Sequence, residues 1–161
     1  MKRIAGFCGA GLALVAATGL VGCSVSDSEE LIGRTLQVTD VYDNPDLPSS
    51  VPIGHVPPQI SLGGQSFSVI TACGSYTGAL SWDDNTLTIN SADRTADTET
   101  ECTPTDQTFT DRLLAALPGE ATFTIDEKNR TVRFFDQDGM EDPNNDVIPH
   151  NLPGWSALVP E

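Results

Sequence analysis

Four cysteines are the residues of this sequence best suited to chemistry, and the compartment of the chain decides what they can do. Cys8 lies in an apolar stretch near the N-terminus and Cys23 just after it, whereas Cys73 and Cys102 lie in the later, more polar part. A thiol stays reduced in the cytosol, but an exported pair of thiols oxidises to a disulfide. Cys73 lies within "ITACGSYTGALSW", residues 70–82. Three roles are open for it: a nucleophile, a metal ligand or half of a disulfide.

The N-terminus has the features of an export signal. Residues 1–22 begin with Lys2 and Arg3, continue as the apolar run "IAGFCGAGLALVAATGL" and contain no acidic residue. The run is short and glycine-rich for a membrane-spanning helix. It ends in "LVGC", residues 20–23, which resembles the lipobox of bacterial lipoproteins, where cleavage precedes a cysteine that then carries lipid. We expect a signal peptide over 1–22 and lipidation at Cys23; the alternative is a soluble secreted protein.

The mature part is expected to be one acidic domain on a short tether. Removal of the signal leaves 139 residues, enough for one domain with a core but not for two. We expect a lipidated tether over residues 23–30 and a domain over residues 31–161. With six basic and 23 acidic residues its formal charge is −17, which argues against nucleic acid and against a basic patch on anionic lipid. The expected membrane contact is the lipid on Cys23, in the cell membrane or the outer membrane, with the domain facing the envelope.

Export leaves Cys73 and Cys102 as the two cysteines of the domain, and we expect a disulfide between them. In the chain-entropy model such a bond stabilises the fold by about 3.5 kcal/mol. The alternative is a papain-type nucleophile, because "CGSY" matches part of that family's Cys-Gly-Ser-Cys-Trp signature. His150 precedes Asn151 but follows Cys73 by only 77 residues, about half of the separation in that family. We therefore expect no catalytic residue.

A late acidic segment is the best candidate for a metal site. "FFDQDGMEDPNND", residues 134–146, contains the hard oxygen ligands that calcium prefers. If Gly139 is the glycine of a calcium loop, Phe134 falls at the first ligand position and has no oxygen to offer. His55 and His150, in proline-containing loops, lack a third ligand for zinc. We expect a turn and a solvated loop, no metal and no cofactor, with calcium as the alternative.

The elements that position these residues are predicted from alternation and turn signals. Short alternating runs joined by Gly, Asn and Asp turns predict three hairpins. The five prolines of residues 44–58 predict an irregular loop. Residues 103–119 predict one helix, with Thr103 as its N-cap and a buried face made of Phe109, Leu113 and Leu117. The expected strands lie within residues 31–43, 59–62, 65–70, 77–82, 86–90, 121–126, 130–136 and 155–160.

Several motifs follow the order typical of the META domain, which occurs in bacterial envelope lipoproteins and heat-inducible secreted proteins. "LIGRTLQV" resembles its opening Leu-x-Gly-x-x-Trp strand, with Leu36 in place of the tryptophan. "ACGSYTGAL" resembles its Gly-Cys-Asn-x-x-x-Gly segment through Cys73 and Gly78, and "TETEC" keeps a threonine four residues before Cys102. "FTDRLL", "ATFTID" and "TVRFFDQDG" resemble the closing helix, strand and Asp-Gly hairpin. The resemblance covers residues 31–139.

This resemblance implies a mainly β (α+β) fold, a curved antiparallel sheet or half-open β-barrel with one helix packed across it. It implies neighbouring positions for Cys73 and Cys102, after the second strand and just before the helix. It implies no catalytic residues. The family is associated with envelope stress and tolerance of toxic compounds, and its fold is similar to that of secretin-pilot lipoproteins.

Two functions are consistent with these expectations. The first is a lipid-anchored, non-enzymatic interaction module that binds an unidentified envelope protein in stress tolerance or secretion-related assembly. The second is a carrier that binds a small apolar ligand in the half-barrel, with Trp82, Trp155 and Phe67 around the ligand rather than in a core. A module should fill its interior and expose an apolar patch, whereas a carrier needs a cavity of roughly a few hundred cubic ångströms.

Overall fold

A computed structural model describes residues 27–43, 48–96, 101–136 and 153–160 of the chain. These residues form two helices and ten strands, all antiparallel to their neighbours. Their bounds are α1 Asp27–Leu31, β1 Thr35–Tyr42, β2 Ser49–Ser50, β3 Gln59–Leu62, β4 Ser66–Thr71, β5 Gly74–Asp83, β6 Thr86–Ile89, β7 Asp93–Ala96, α2 Pro104–Ala116, β8 Gly119–Asp126, β9 Thr131–Asp136 and β10 Gly154–Leu158.

Eight of these strands close into a barrel. The order around it is β1, β3, β4, β5, β6, β8, β9 and β10, and β10 pairs with β1 to complete the circle. Two short strands lie outside the circle: β2 pairs with β1, and β7 pairs with β5. Closure pairs the backbone N–H and C=O groups that an open sheet would leave unpaired on its first and last strands.

The seam between β1 and β10 is joined on its outer surface by polar side chains. The hydroxyls of Thr39 and Ser156 lie 2.9 Å apart, and Ser156 also donates to Asp40 at 3.2 Å. On the neighbouring strand β9, the Arg133 guanidinium lies 3.4 Å from the ring centre of Tyr42, a cation–π contact. These contacts add side-chain bonds to the backbone pairing that closes the barrel.

One glycine allows the last strand to approach its neighbour closely. Gly154 begins β10 with a φ of +148°, and a Cβ at this position would lie 2.0 Å from the carbonyl oxygen of Phe134. No side chain fits there, so glycine is required where β10 joins β9.

The two ends of the barrel differ in what they carry. At the end called here the N-terminal end, α1 enters the fold and Gly33 donates to Leu62 at 2.7 Å, beside the β8–β9 turn and residues 159–160. At the opposite end, called here the helix end, α2 packs against β1 and β10. The buried face of α2 contains Phe109, Leu113 and the adjoining Leu117, as predicted from its spacing.

Aromatic side chains fill the interior of the barrel. Trp155 stacks on Phe134 with ring centres 4.0 Å apart, Phe134 contacts Phe123 at 5.6 Å, and Phe123 contacts Trp82 at 5.8 Å. Trp155, Phe123 and Phe134 are at most 1% exposed, and Phe67 is 3% exposed. Aliphatic residues of all eight barrel strands join or pack against this core, which therefore consists of side chains rather than a chamber.

The predicted fold class is confirmed: the chain is mainly β, with one long helix packed across an antiparallel sheet. The sheet closes further than the expected half-open barrel, because β10 returns to pair with β1. The helix begins after Thr103 as predicted, and the three hairpins are present. Three short elements were not expected: β2, β7 and α1, which includes residues 27–30 of the predicted tether.

No helix in the described ranges combines the length and apolar character needed to cross a membrane.

Candidate functional site

The disulfide between Cys73 and Cys102 is present in the structure. The two sulfurs lie 1.99 Å apart and the α-carbons 4.8 Å apart. Cys73 is buried in the turn between β4 and β5, whereas Cys102 is exposed directly before the N-cap of α2. The bond therefore attaches the start of α2 to the wall of the barrel. A disulfide sulfur is not a thiolate, so the bonded Cys73 is not a nucleophile of the papain type.

The turn that contains Cys73 is ordered by its own hydrogen bonds. The Thr71 hydroxyl accepts from the Cys73 amide at 3.1 Å and donates to the Gly74 carbonyl at 3.1 Å. Arg94 on β7 donates to the Cys73 carbonyl at 2.7 Å. The short strand β7 is thus held against the disulfide by a side-chain contact as well as by its pairing with β5.

The first turn of α2 carries a capping box. The Thr103 hydroxyl accepts from the Asp106 amide at 3.2 Å, and the Asp106 carboxylate accepts from the Thr103 amide at 3.1 Å. The same carboxylate accepts from the Thr103 hydroxyl at 2.7 Å. These contacts satisfy amide groups that a helix leaves unpaired at its start.

His55 joins the proline-containing loop to this capping box. Its Nδ1 lies 2.6 Å from Oδ1 of Asp106, whose side chain is buried. Hydrogen bonds from Thr103 and His55, which outweigh the opposing effect of burial, hold the pKa of Asp106 below its ordinary value. The carboxylate is therefore charged over the physiological pH range and fixes the loop to the helix.

The His55–Asp106 pair makes a structural contact between the loop and the helix. In the parts of the chain that the structure describes, no three His, Cys, Asp or Glu residues come together as a possible metal site. His55 has one acidic partner, and that partner is already bonded to the helix cap. The contact spans 51 residues, and the only sequence signals for it were an isolated histidine and an acid at the third helical position.

An open groove follows α2 on both sides of Arg112. On one side a depression of about 520 Å³ lies between the helix and residues 49–52. On the other a depression of about 240 Å³ is bordered by Tyr42, Asp43 and Pro153. Arg112 separates them, with its Nε 3.4 Å from an Asp43 carboxylate oxygen and its guanidinium bonded to the Ser49 hydroxyl. Both depressions lie outside the barrel wall, in contact with solvent.

Three of the five exposed large apolar side chains among the described residues lie at the helix end. Ile53 is fully exposed and Val56 is 69% exposed, both in the loop that His55 fixes to α2. Ile70, near the end of β4, is 54% exposed and is paired in register with Gln59, which follows the loop. We call Ile53, Val56 and Ile70 the apolar patch.

Several residues singled out from the sequence lie outside the described residues. These are Cys8, the lipidation candidate Cys23, most of the acidic segment 134–146, and His150. The ligand-lining hypothesis for Trp82, Trp155 and Phe67 falls on described residues. There Trp155 and Phe67 are core residues, and Trp82 donates from its indole nitrogen to the Gly63 carbonyl at 2.9 Å.

Comparison with known proteins gives one family and one fold neighbour. The family model of the META domain matches residues 29–141. The barrel is similar to an NMR structure of a protein from Burkholderia xenovorans, with a TM-score of 0.55 and 16% identity over 83% of this chain and 86% of the other. At this identity the likeness concerns the fold alone. A search of curated proteins gave no match.

Proposed function

The chain belongs to the META domain family, and on that premise we propose that it is an exported, lipid-anchored and non-enzymatic protein that acts by binding another envelope protein. The resemblance inferred from the sequence motifs is thereby confirmed at the level of the family. What the protein binds, and where it resides, are the subject of the proposal.

The filled barrel is the observation that carries this proposal. The inward-facing side chains form one continuous core, from Leu36 on β1 to Trp155 on β10. A protein that holds a ligand inside a small barrel needs interior space, whereas one that binds partners can fill its interior and use its surface. The carrier alternative receives less support for this reason.

The apolar patch is the surface best suited to a protein partner. Its loop is fixed by the His55–Asp106 pair and by prolines, so it would lose little conformational freedom on binding. The loop residues Ile53 and Val56 are exposed enough to be buried almost completely by a partner. Exposed aliphatic residues on a fixed loop are typical of protein-binding sites rather than of catalytic ones.

Export and anchoring are supported by the N-terminal sequence. The charged start, the apolar run and "LVGC" occur in the order of a lipoprotein signal. Several acyl chains on Cys23 would hold the protein at a membrane without a spanning helix. Cys23 precedes α1 by only four residues, so a lipid there would keep the N-terminal end near the bilayer.

Site-directed photo-crosslinking in membranes tests the partner. A photoreactive residue in place of Ile53 or Val56 should give one discrete protein adduct, and the same residue in place of the exposed Thr124 on β8 should not. Val56→Asp should remove the adduct formed from position 53. Equal adducts from the patch and from position 124, or none from the patch, would refute a binding role for the patch.

Membrane fractionation and mass spectrometry test the anchor. The purified protein should begin at an acylated Cys23, and Cys23→Ser should move the protein from the membrane to the soluble exported fraction. A protein that stays with membranes after this substitution, or whose N-terminus is unmodified, would contradict the proposed anchor.

A further inference from the structure

One stretch of this acidic chain carries no formal charge. Between Pro48 and Trp82, 35 consecutive residues, there is no Asp, Glu, Lys or Arg. At the 19% charged content of the whole chain, about seven would be expected in a stretch of this length. The stretch is also rich in serine, threonine, glutamine and glycine, so its polar groups are hydroxyls and amides.

The fold gathers these residues on one outer face. The stretch comprises β2, β3, β4 and nearly all of β5, and alternate residues of the three barrel strands point outwards. Two outward residues of β1 extend the face. We call this surface the neutral face; its members are Thr35, Gln37, Gln59, Ser61, Ser66, Ser68, Ile70, Ser75, Thr77, Ala79 and Ser81.

The strand register aligns the hydroxyls of this face in a row. Thr35 pairs with Ser61, Ser61 with Ser68, and Ser68 with Thr77, across four neighbouring strands. At the spacing of adjacent strands the row is about 14 Å long. The first two hydroxyl oxygens lie 2.8 Å apart. A second row, one pleat towards the helix end, contains Gln37, Gln59, Ile70 and Ser75.

A shallow depression lies at the N-terminal end of this face. Its volume is about 360 Å³, and its walls include Gly33, Ser61, Ser66, Ser68 and Thr77, with buried Leu62 and Phe67 beneath. Gly63 completes the wall; a Cβ there would lie 2.8 Å from the Ser66 carbonyl oxygen. The small size of these residues leaves room beside the row of hydroxyls.

The chemistry of the face disfavours most classes of partner. On β7, Asp93 pairs with Thr77 and so borders one end of the hydroxyl row. A cationic partner would find its counter-charges there and on the acidic remainder of the chain, outside the face itself, and an anionic polymer would be repelled by the net charge of −15. A protein interface is enriched in aromatic residues and arginine and depleted in serine, whereas this face has a single large apolar side chain, Ile70. What remains is a partner that is itself polar, uncharged and rich in hydroxyl groups.

We propose that the neutral face binds an uncharged saccharide chain. Serine and threonine hydroxyls both donate and accept, as sugar hydroxyls do, so an aligned row can exchange bonds with a glycan in either direction. Binding oligosaccharides on the outer strands of a small barrel has a precedent in the OB-fold. Because neutral hydrogen bonds are individually weak, the dissociation constant for a short oligosaccharide is expected on the order of 1 mM.

This inference goes beyond the proposed function and uses a surface that shares only Ile70 with the apolar patch. The partner protein is assigned to Ile53 and Val56 in the loop, and the saccharide to the hydroxyl row. The two proposals can be refuted independently, because a protein that does not bind sugar would still give the crosslinks from positions 53 and 56.

NMR titration of the full, isotope-labelled chain tests the proposal. The protein is kept in a polyoxyethylene detergent, since sugar-headed detergents would compete. The probes are the N-acetylglucosamine tetramer and maltotetraose, which are neutral, and trigalacturonate, which is acidic. At least one neutral probe should shift the amides of β3, β4 and β5 in a saturable way, equally at low and high salt, and the acidic probe should bind at least about fivefold more weakly.

Two variants and a control locate the site. Ser68→Asp places a charge at the centre of the row and should weaken binding at least about fivefold, and Ser61→Ala with Ser68→Ala should weaken it similarly without adding charge. Thr124→Asp, a charge on an exposed strand residue of β8, should leave binding unchanged. The thermal midpoint of each variant checks that it folds.

Any of four results would overturn the proposal. The first is that neither neutral probe changes any amide chemical shift, and the second is that the changes are confined to residues outside the neutral face. The third is that Thr124→Asp weakens sugar binding as much as Ser68→Asp does. The fourth is that the chemical shifts of the face change with protein concentration rather than with sugar concentration. The last result would identify a second copy of the chain as the occupant.

Discussion

Removal of the disulfide should destabilise this domain strongly and by a calculable amount. The perturbation is Cys73→Ala combined with Cys102→Ser, which leaves no free thiol in the domain. Cys102 is exposed, so the serine that replaces it is hydrogen-bonded by water. Cys73 is buried, and alanine there adds no unpaired hydroxyl. The main change is therefore the loss of the covalent link.

The expected loss follows from the size of the loop that the bond closes. The cysteines are 29 residues apart, and the chain-entropy model then gives about 3.5 kcal/mol at 25 °C. Loss of the buried sulfur of Cys73 adds about 1 kcal/mol. For a domain of this size each kcal/mol lowers the thermal midpoint by about 3–4 °C, so the total loss of about 4.5 kcal/mol should lower the midpoint by about 14–18 °C.

Urea and thermal unfolding followed by circular dichroism measure this loss. The full chain is compared with the double variant, each with and without a phosphine reductant. The reductant should destabilise the natural chain by about 3.5 kcal/mol, to within about 1 kcal/mol of the variant, and leave the variant unchanged. Cys23→Ser, which removes a cysteine outside the described residues, is the matched control and should not shift the midpoint.

Hydrogen exchange shows where the bond acts. The capping box and the His55–Asp106 contact remain in the variant, so the first turn of α2 should stay protected. The amides of β7 should exchange faster, because β7 has β5 as its single strand neighbour among the described strands. A loss of stability below about 1 kcal/mol would refute the loop-entropy argument, and exchange that rises first in α2 would refute the assigned role of the cap.

Three further perturbations test the packing and the helix cap. Thr103→Ala removes the N-cap hydroxyl and should cost about 1–2 kcal/mol in urea unfolding. Because the folded pKa of Asp106 lies below its unfolded value, its contribution is present above about pH 4 and is lost as the pH falls through the folded pKa; Asp106→Asn should flatten the acid limb of stability against pH. Trp155→Ala removes the ring that stacks on Phe134 and should cost about 3–5 kcal/mol, measured by thermal unfolding with Thr124→Ala as the exposed control.

Local signals predicted the parts of the fold that are formed by local contacts. Thr103 and Pro104 marked the start of α2, and Phe109, Leu113 and Leu117 marked its buried face, because a cap and a helical stripe depend on neighbours within a few residues. Hairpins were predicted for the same reason. β7 was not predicted, because all four of its residues are exposed and leave no alternation in the sequence.

Contacts between residues that are far apart in the sequence could not be predicted from local signals. Closure of the barrel depends on pairs such as Val41 with Trp155, and nothing in either segment alone specifies the other. The His55–Asp106 contact could not be predicted from the sequence for the same reason. The cysteine pair was predictable because the expected export signal and a count of two cysteines in the domain leave one pairing, and this argument needs no geometry.

The proposed anchor limits where a partner can be. With lipid on Cys23, the four residues to Asp27 span at most about 14 Å when fully extended, so the N-terminal end of the barrel stays within that distance of the bilayer surface. The longest strand, β5, has ten residues; at 3.3 Å per residue and the usual tilt of a barrel strand it rises about 25 Å along the axis. The apolar patch at the helix end is therefore within about 40 Å of the membrane. A partner that binds Ile53 and Val56 must have a domain in this layer, which favours a protein of the same membrane over one that diffuses freely in the envelope.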